Sequence, residues 1–147
     1  MVEIQILNNQ ENIELSAGIL EDLKSTALEI GSVLNINNKV ISIVLVNNDI
    51  IKTLNCQYRD KDYVTDVLSF PLSTLDSDEE LLGEIIICAE VAKQQAEEYN
   101  NELKQELNFL ILHGILHLCG YDHDENHSGE MRDKEKEIIN KLSLKTR

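Results

Sequence analysis

The stretch LNFLILHGILHL, residues 107–118, decides how this chain is built. Apolar side chains fall on nearly every face of a helix wound from it, so that helix should run through the middle of the domain. It is too short to cross a bilayer, which takes about eighteen or more apolar residues. Two histidines lie inside it. His113 and His117 are four apart and share one helical face, with Cβ atoms about 5–6 Å apart. Imidazoles so placed can meet a single ion at about 2.0–2.1 Å each. Gly120 suits the left-handed residue that ends a helix, and the chain then turns back so that His123 arrives as a third ligand. The pattern reads H-x-x-x-H-x-x-G-x-x-H through His113, His117, Gly120 and His123. Random placement of four histidines gives this triple spacing roughly once in nine hundred trials. Three nitrogens leave the fourth position of a tetrahedral ion open to water, as in catalytic rather than structural sites.

The neighbours of the triad read differently. His127 sits in a polar segment and reads as a solvated surface histidine. Cys119, two residues past His117, points away from the shared face and reads as a small core residue. Asp122 and Asp124 flank His123 and either orient its imidazole or serve the turn. Metzincin proteases carry H-E-x-x-H-x-x-G-x-x-H, with the glutamate as general base. Here Gly114 holds that place. A mid-helix glycine costs about 1 kcal/mol relative to alanine, so close packing must require it, and it cannot take a proton.

Outward from this helix the chain is punctuated by asparagine pairs instead of glycine and proline, of which there are only six and one. Val2 to Leu7 alternates as a strand. Leu15, Ile19, Leu23 and Ala27 recur behind Ser16 as an amphipathic helix. Val40 to Val46 is a buried β-branched strand. Asp49 is expected to cap a short helix carrying Ile50, Leu54 and Tyr58. Asp66 to Phe70 reads as a strand stopped by Pro71, followed by an acidic loop between Leu72 and Leu82. Gly83 to Cys88 is a further strand, Ala89 to Tyr99 a polar-faced helix, and two helices over about 102–119 and 129–142 close the chain. The order βαβαββααα predicts an α+β fold: a small mixed sheet of about four strands, packed with about five helices, the central one carrying the metal. Because an edge strand borders the cleft in zincin-like sites, Glu84 to Cys88 is expected to form one wall, with Gly83 allowing close backbone approach.

The 147 residues suit one domain, 1–147. Hydrophobic residues at 42% and charged residues at 27% exclude collagen-like, low-complexity and disordered classes. Cys56, Cys88 and Cys119 are odd in number, widely spaced and without a Cys-x-x-Cys, which argues against a disulfide framework. With no basic, apolar leader and no membrane-length apolar run, the expected location is the cytoplasm. A net charge of −14 excludes nucleic-acid binding by bulk charge, whose affinity comes from basic residues displacing counterions. Action on a phosphate backbone then needs a metal or a few well-placed cations.

One such cation is Arg59. It is the only one of three arginines outside the C-terminal helix and tail. Its guanidinium fork suits a phosphate; its other reading is a salt bridge with Asp60 or Asp62. Around it runs N-x-x-Y-R-x-x-D-x-x-T-D-V-L-S-F-P, residues 55–71. Together with HGILHLCGYDH (113–123) and GEIIIC (83–88), this resembles the bacterial YbeY family of metal-dependent endoribonucleases, the rRNA maturation factors. The resemblance runs from about residue 41 to about residue 124. It implies metal ligands at His113, His117 and His123 and a functionally important arginine at Arg59. Asp62, Thr65 and Asp66 match family positions too, and are read as shaping the loop into the strand. It further implies a single-strand-specific endoribonuclease acting in 16S rRNA 3′-end maturation and ribosome quality control. Its partners would be rRNA precursor and ribosomal small-subunit proteins, not DNA or membrane, and zinc would be the usual metal, with another divalent ion as the alternative. The acidic charge then demands a local positive island from the ion, Arg59, Lys52 and Lys61, or delivery of the RNA by ribosomal proteins. A metal-dependent peptidase and an assembly factor with a structural metal remain alternative readings of the residues.

Overall fold

A computed structural model describes residues 1–121 and 129–144. Along the chain come β1 (Glu3–Asn8), α1 (Ala17–Val33), β2 (Val40–Val46), α2 (Asn48–Arg59), β3 (Val67–Pro71), β4 (Leu81–Cys88), α3 (Ala89–Glu98), α4 (Leu103–Leu118) and α5 (Glu130–Leu142). The sheet order is β1-β2-β4-β3, with β1, β2 and β4 parallel and β3 antiparallel to β4. The expected α+β fold, with four strands and five helices in the expected sequence, is therefore present.

Local chemistry accounts for the element boundaries. The Ser16 hydroxyl accepts the Ile19 N–H at 3.1 Å and starts α1. The cap of α2 is Asn47, not Asp49: the Asn47 side chain accepts the Ile50 N–H at 3.0 Å, while Asp49 lies in the first turn. An amide oxygen one residue before the helix satisfies the open N–H; a carboxylate inside the turn only favours its dipole. Gly120, at φ +98°, ends α4 as expected. Its N–H donates to the His117 carbonyl at 3.0 Å and the Tyr121 N–H to the Leu116 carbonyl at 3.0 Å, which together form a Schellman cap.

The two faces of the sheet are covered unequally. Ile41, Ile43 and Leu45 of β2 and Ile85 and Ile87 of β4 pack into the main core with α1 and α4. On the opposite face Val46, Leu68, Ile86 and Cys88 pack against Ile51 of α2. Helix α4 lies over β4 so closely that neither element tolerates a side chain at its glycine. A Cβ on Gly114 would sit 2.7 Å from Ile85 Cγ2, and one on Gly83 would sit 2.5 Å from Leu118 Cδ2 and 2.7 Å from the Phe70 carbonyl oxygen. Gly83 thus makes room for Leu118 and not for a ligand. Lys39, 4% exposed, anchors the acidic loop between β3 and β4: its ammonium donates to the backbone carbonyls of Ser77 and Glu79 and to the Ser77 hydroxyl.

Candidate metal centre and cleft

His113 and His117 sit on α4 where it emerges beside the free edge of the sheet, and their Nε2 atoms are 3.1 Å apart. Two imidazole nitrogens that close need a shared proton or a shared ion between them. A tetrahedral ion with bonds of 2.0–2.1 Å spans about 3.3 Å between two ligands, so the pair fits one divalent ion. The second nitrogen of His113 is committed as well, with Nδ1 3.1 Å from Glu135 Oε1 on α5. A carboxylate there holds the proton on Nδ1 and turns the Nε2 lone pair toward its neighbour. Phe109, one turn back, stacks against the His113 ring at 6.5 Å between centroids. His123 lies outside the described residues, as do Asp122, Asp124 and His127, and the described residues alone contain no three-ligand cluster.

Glu135 is the residue that sequence reasoning missed. Its signal was present: α5 buries Met131, Glu135 and Ile138, a helical stripe in which one member is a carboxylate. A buried carboxylate on the core face needs a partner, and His113 is one.

Arg59 and both described histidines line one cavity of about 570 Å³, together with Tyr58 and the residues from Thr65 to Phe70. Helix α2 ends at Arg59 because Asp60 turns into the left-handed conformation at φ +57°, which short polar residues tolerate. Among the described residues no carboxylate lies within ion-pair distance of Arg59; Asp62, one of its candidate partners, is 4.0 Å from Lys52 instead. Neither Lys52 nor Lys61 lines the cavity, so of the side chains expected to join the ion in a positive island only Arg59 is found there among the described residues.

The wall of the cleft is β3, not the stretch from Glu84 to Cys88. That stretch belongs to β4, which is interior, bonded to β2 on one side and β3 on the other. The Cys88 N–H donates to the Asp66 carbonyl at 2.9 Å and the Leu72 N–H to the Leu82 carbonyl at 3.0 Å. Alternate residues therefore face β4, and Val67, Ser69 and Pro71 turn their backbone groups outward along the free edge. Asp66 shapes this entrance, accepting the Val67 N–H at 2.8 Å and the Gln95 amide at 3.3 Å. Buried Asn55 steadies the preceding loop by donating to the Tyr63 carbonyl at 3.0 Å. Cys119 lines a different cavity, with Leu34 and Leu75, and burial pushes its thiol up to about 11.

The profile of the family described as Endoribonuclease YbeY matches residues 5–143. The chain belongs to the YbeY family. It is 44% identical over 147 residues to the Endoribonuclease YbeY of Finegoldia magna, covering 96% of this chain and 94% of that one. The Carboxydothermus hydrogenoformans relative of the same name is 41% identical over 143 residues, covering 95% and 97%. The solution structure of a Thermotoga maritima protein, 38% identical, superposes with a TM-score of 0.67 over 95% of this chain and 88% of that one. As a YbeY family member the protein is an endoribonuclease, and its substrate is RNA. No helix among the described residues is long and apolar enough to cross a membrane.

Proposed function

We propose that residues 1–147 form one metallo-endoribonuclease domain that cleaves single-stranded RNA in 16S rRNA 3′-end maturation and ribosome quality control. Its work would be in the cytoplasm, with ribosomal small-subunit proteins as partners. The observation that carries this reading is the pair of imidazole nitrogens 3.1 Å apart in a cavity that also holds an arginine with no carboxylate partner among the described residues. His113, His117 and His123 are the proposed ligands of one divalent ion per chain, zinc in the first instance. When bound, such an ion polarises a phosphoryl oxygen and acidifies a water molecule. Glu135 keeps the His113 proton on Nδ1, leaving Nε2 free to ligate. Arg59 grips the non-bridging phosphate oxygens with two parallel N–H donors and neutralises the charge that builds there during displacement. The free edge of β3 leaves the cleft open along one side, which suits a flexible single strand.

Peptide hydrolysis by the zincin route has no base, because Gly114 packs on Ile85 where that route requires a glutamate. The test combines metal analysis with cleavage of an rRNA precursor, by the purified protein alone and with ribosomes. The expected result is one divalent ion per chain, metal-dependent cleavage by the parent, and sharply reduced metal in His117→Ala. Stoichiometric metal in His117→Ala would overturn the ligand assignment. Turnover of casein with intact RNA would overturn the substrate.

A further inference from the structure

On the face of the sheet that α2 covers lies a second cavity of about 250 Å³, lined by Leu54, Tyr58, Phe70, Leu72, Glu84 and Ile86. It meets the histidine cavity at Tyr58 and Phe70, which line both. A strand whose phosphate rests at Arg59 thus has an apolar slot beside it, across the free edge of β3. We propose that this slot is a base subsite selective for guanine on the nucleotide adjoining the bound phosphate; the inference rests on the cleft acting on RNA.

Two features fit that occupant. Tyr58 is 66% exposed and meets Phe70 edge-on, with centroids 5.3 Å apart at 68°. An exposed aromatic ring braced by a second ring offers a face on which a base stacks, a contact open to any base. Selectivity comes from Glu84, the one charged residue lining the slot among the described residues. Its carboxylate has two acceptor oxygens and no donor. Guanine alone among the four bases presents two parallel N–H donors, N1 and N2, on its Watson–Crick edge. Adenine and cytosine place a ring acceptor beside their single amino group, and uracil flanks its N3–H with two carbonyls. Each would bring a lone pair against the carboxylate, a repulsive element that rejects the wrong base.

The experiment uses the metal-loaded protein and mononucleotides, which contain no phosphodiester to cleave. Binding of GMP, IMP, AMP, CMP and UMP is compared by calorimetry for the parent, Glu84→Gln and Tyr58→Ala. IMP is GMP without the 2-amino group. GMP should bind about tenfold more tightly than IMP, the scale of one hydrogen bond to a charged group. Glu84→Gln should abolish that ratio while keeping its metal and melting temperature, and Tyr58→Ala should weaken all five. Cleavage of oligoribonucleotides containing a single guanine should follow the same preference. Equal binding of GMP and IMP by the parent, or an unchanged ratio in Glu84→Gln, overturns the subsite. Binding of an arginine amide in place of GMP assigns the slot to a protein partner and overturns it as well. RNA cleavage without guanine preference sinks this inference alone. No cleavage of any RNA sinks the proposed function, and the mononucleotide ratios then still decide whether the slot recognises guanine.

Discussion

Arg59 is exposed and makes no ion pair with any described carboxylate, so removing it should cost the fold little. A fixed cation facing developing phosphoryl charge is worth far more to the reaction, where loss of one donor typically costs about 10²–10³ in rate. Arg59→Ala is therefore expected to melt with the parent, keep its metal and lose most RNA cleavage. Arg59→Lys should recover part, because it keeps the charge and loses the fork. Parental cleavage by Arg59→Ala, or a much lower melting temperature, would reassign Arg59 to structure. Glu135 acts one residue further from the chemistry, through the His113 ring. Glu135→Gln keeps the shape and removes the charge. Competition against a chelator should show its affinity for zinc reduced by about 10–100-fold. Unchanged affinity would mean that Glu135 only ties α5 to α4.

Among the elements, the closest fit is between α4 and β4. Alanine at 114 would gain up to about 1 kcal/mol in helix propensity, but its methyl group would meet Ile85, which is fully buried and has nowhere to move. Overpacking of this kind costs about 1–3 kcal/mol, so Gly114→Ala should be net destabilised. Adding Ile85→Ala should recover part of the loss in a denaturant double-mutant cycle; additive effects would show that another contact excludes the side chain. This glycine was legible in the sequence, as were the elements themselves, because periodicity, Ser16 and Gly120 are local signals. The identity of the cleft wall was not, since it depends on strand order, which no single segment encodes. Ile85-Ile86-Ile87 nevertheless carried a hint. A run apolar on both faces belongs inside a sheet, whereas Ser69 and Pro71 mark β3 as an edge. Asn47 displaced Asp49 as the cap for a similar reason: adjacent capping residues leave the choice to backbone geometry. Glu135 was missed because its partner lies on another helix.

For the molecule as a whole, the three thiols report how it opens. Burial raises the Cys88 thiol above its ordinary 9.0, with its Sγ 3.1 Å from Asn48 Oδ1, whereas Cys56 is exposed. Above the unfolded value the unfolded chain releases a proton that the folded chain keeps. Stability from this group is therefore complete below about pH 9 and falls as the pH rises toward the folded value. Cys88→Ser should flatten that part of the stability–pH curve relative to the parent. Iodoacetamide at neutral pH should modify Cys56 first, with Cys88 following only on unfolding; equal rates would contradict the burial.

Helix α4 packs against α1, α3, α5, β3 and β4 at once. An element held from so many sides has no partial opening of its own. The backbone amides of residues 107–118 should take up deuterium last in the molecule, at the rate of global unfolding, while the outward Ser69 N–H on β3 exchanges early. The cleft is thereby half anvil and half margin: the imidazoles ride on the most slowly exchanging part of the protein, and the strand that faces them belongs to a faster one.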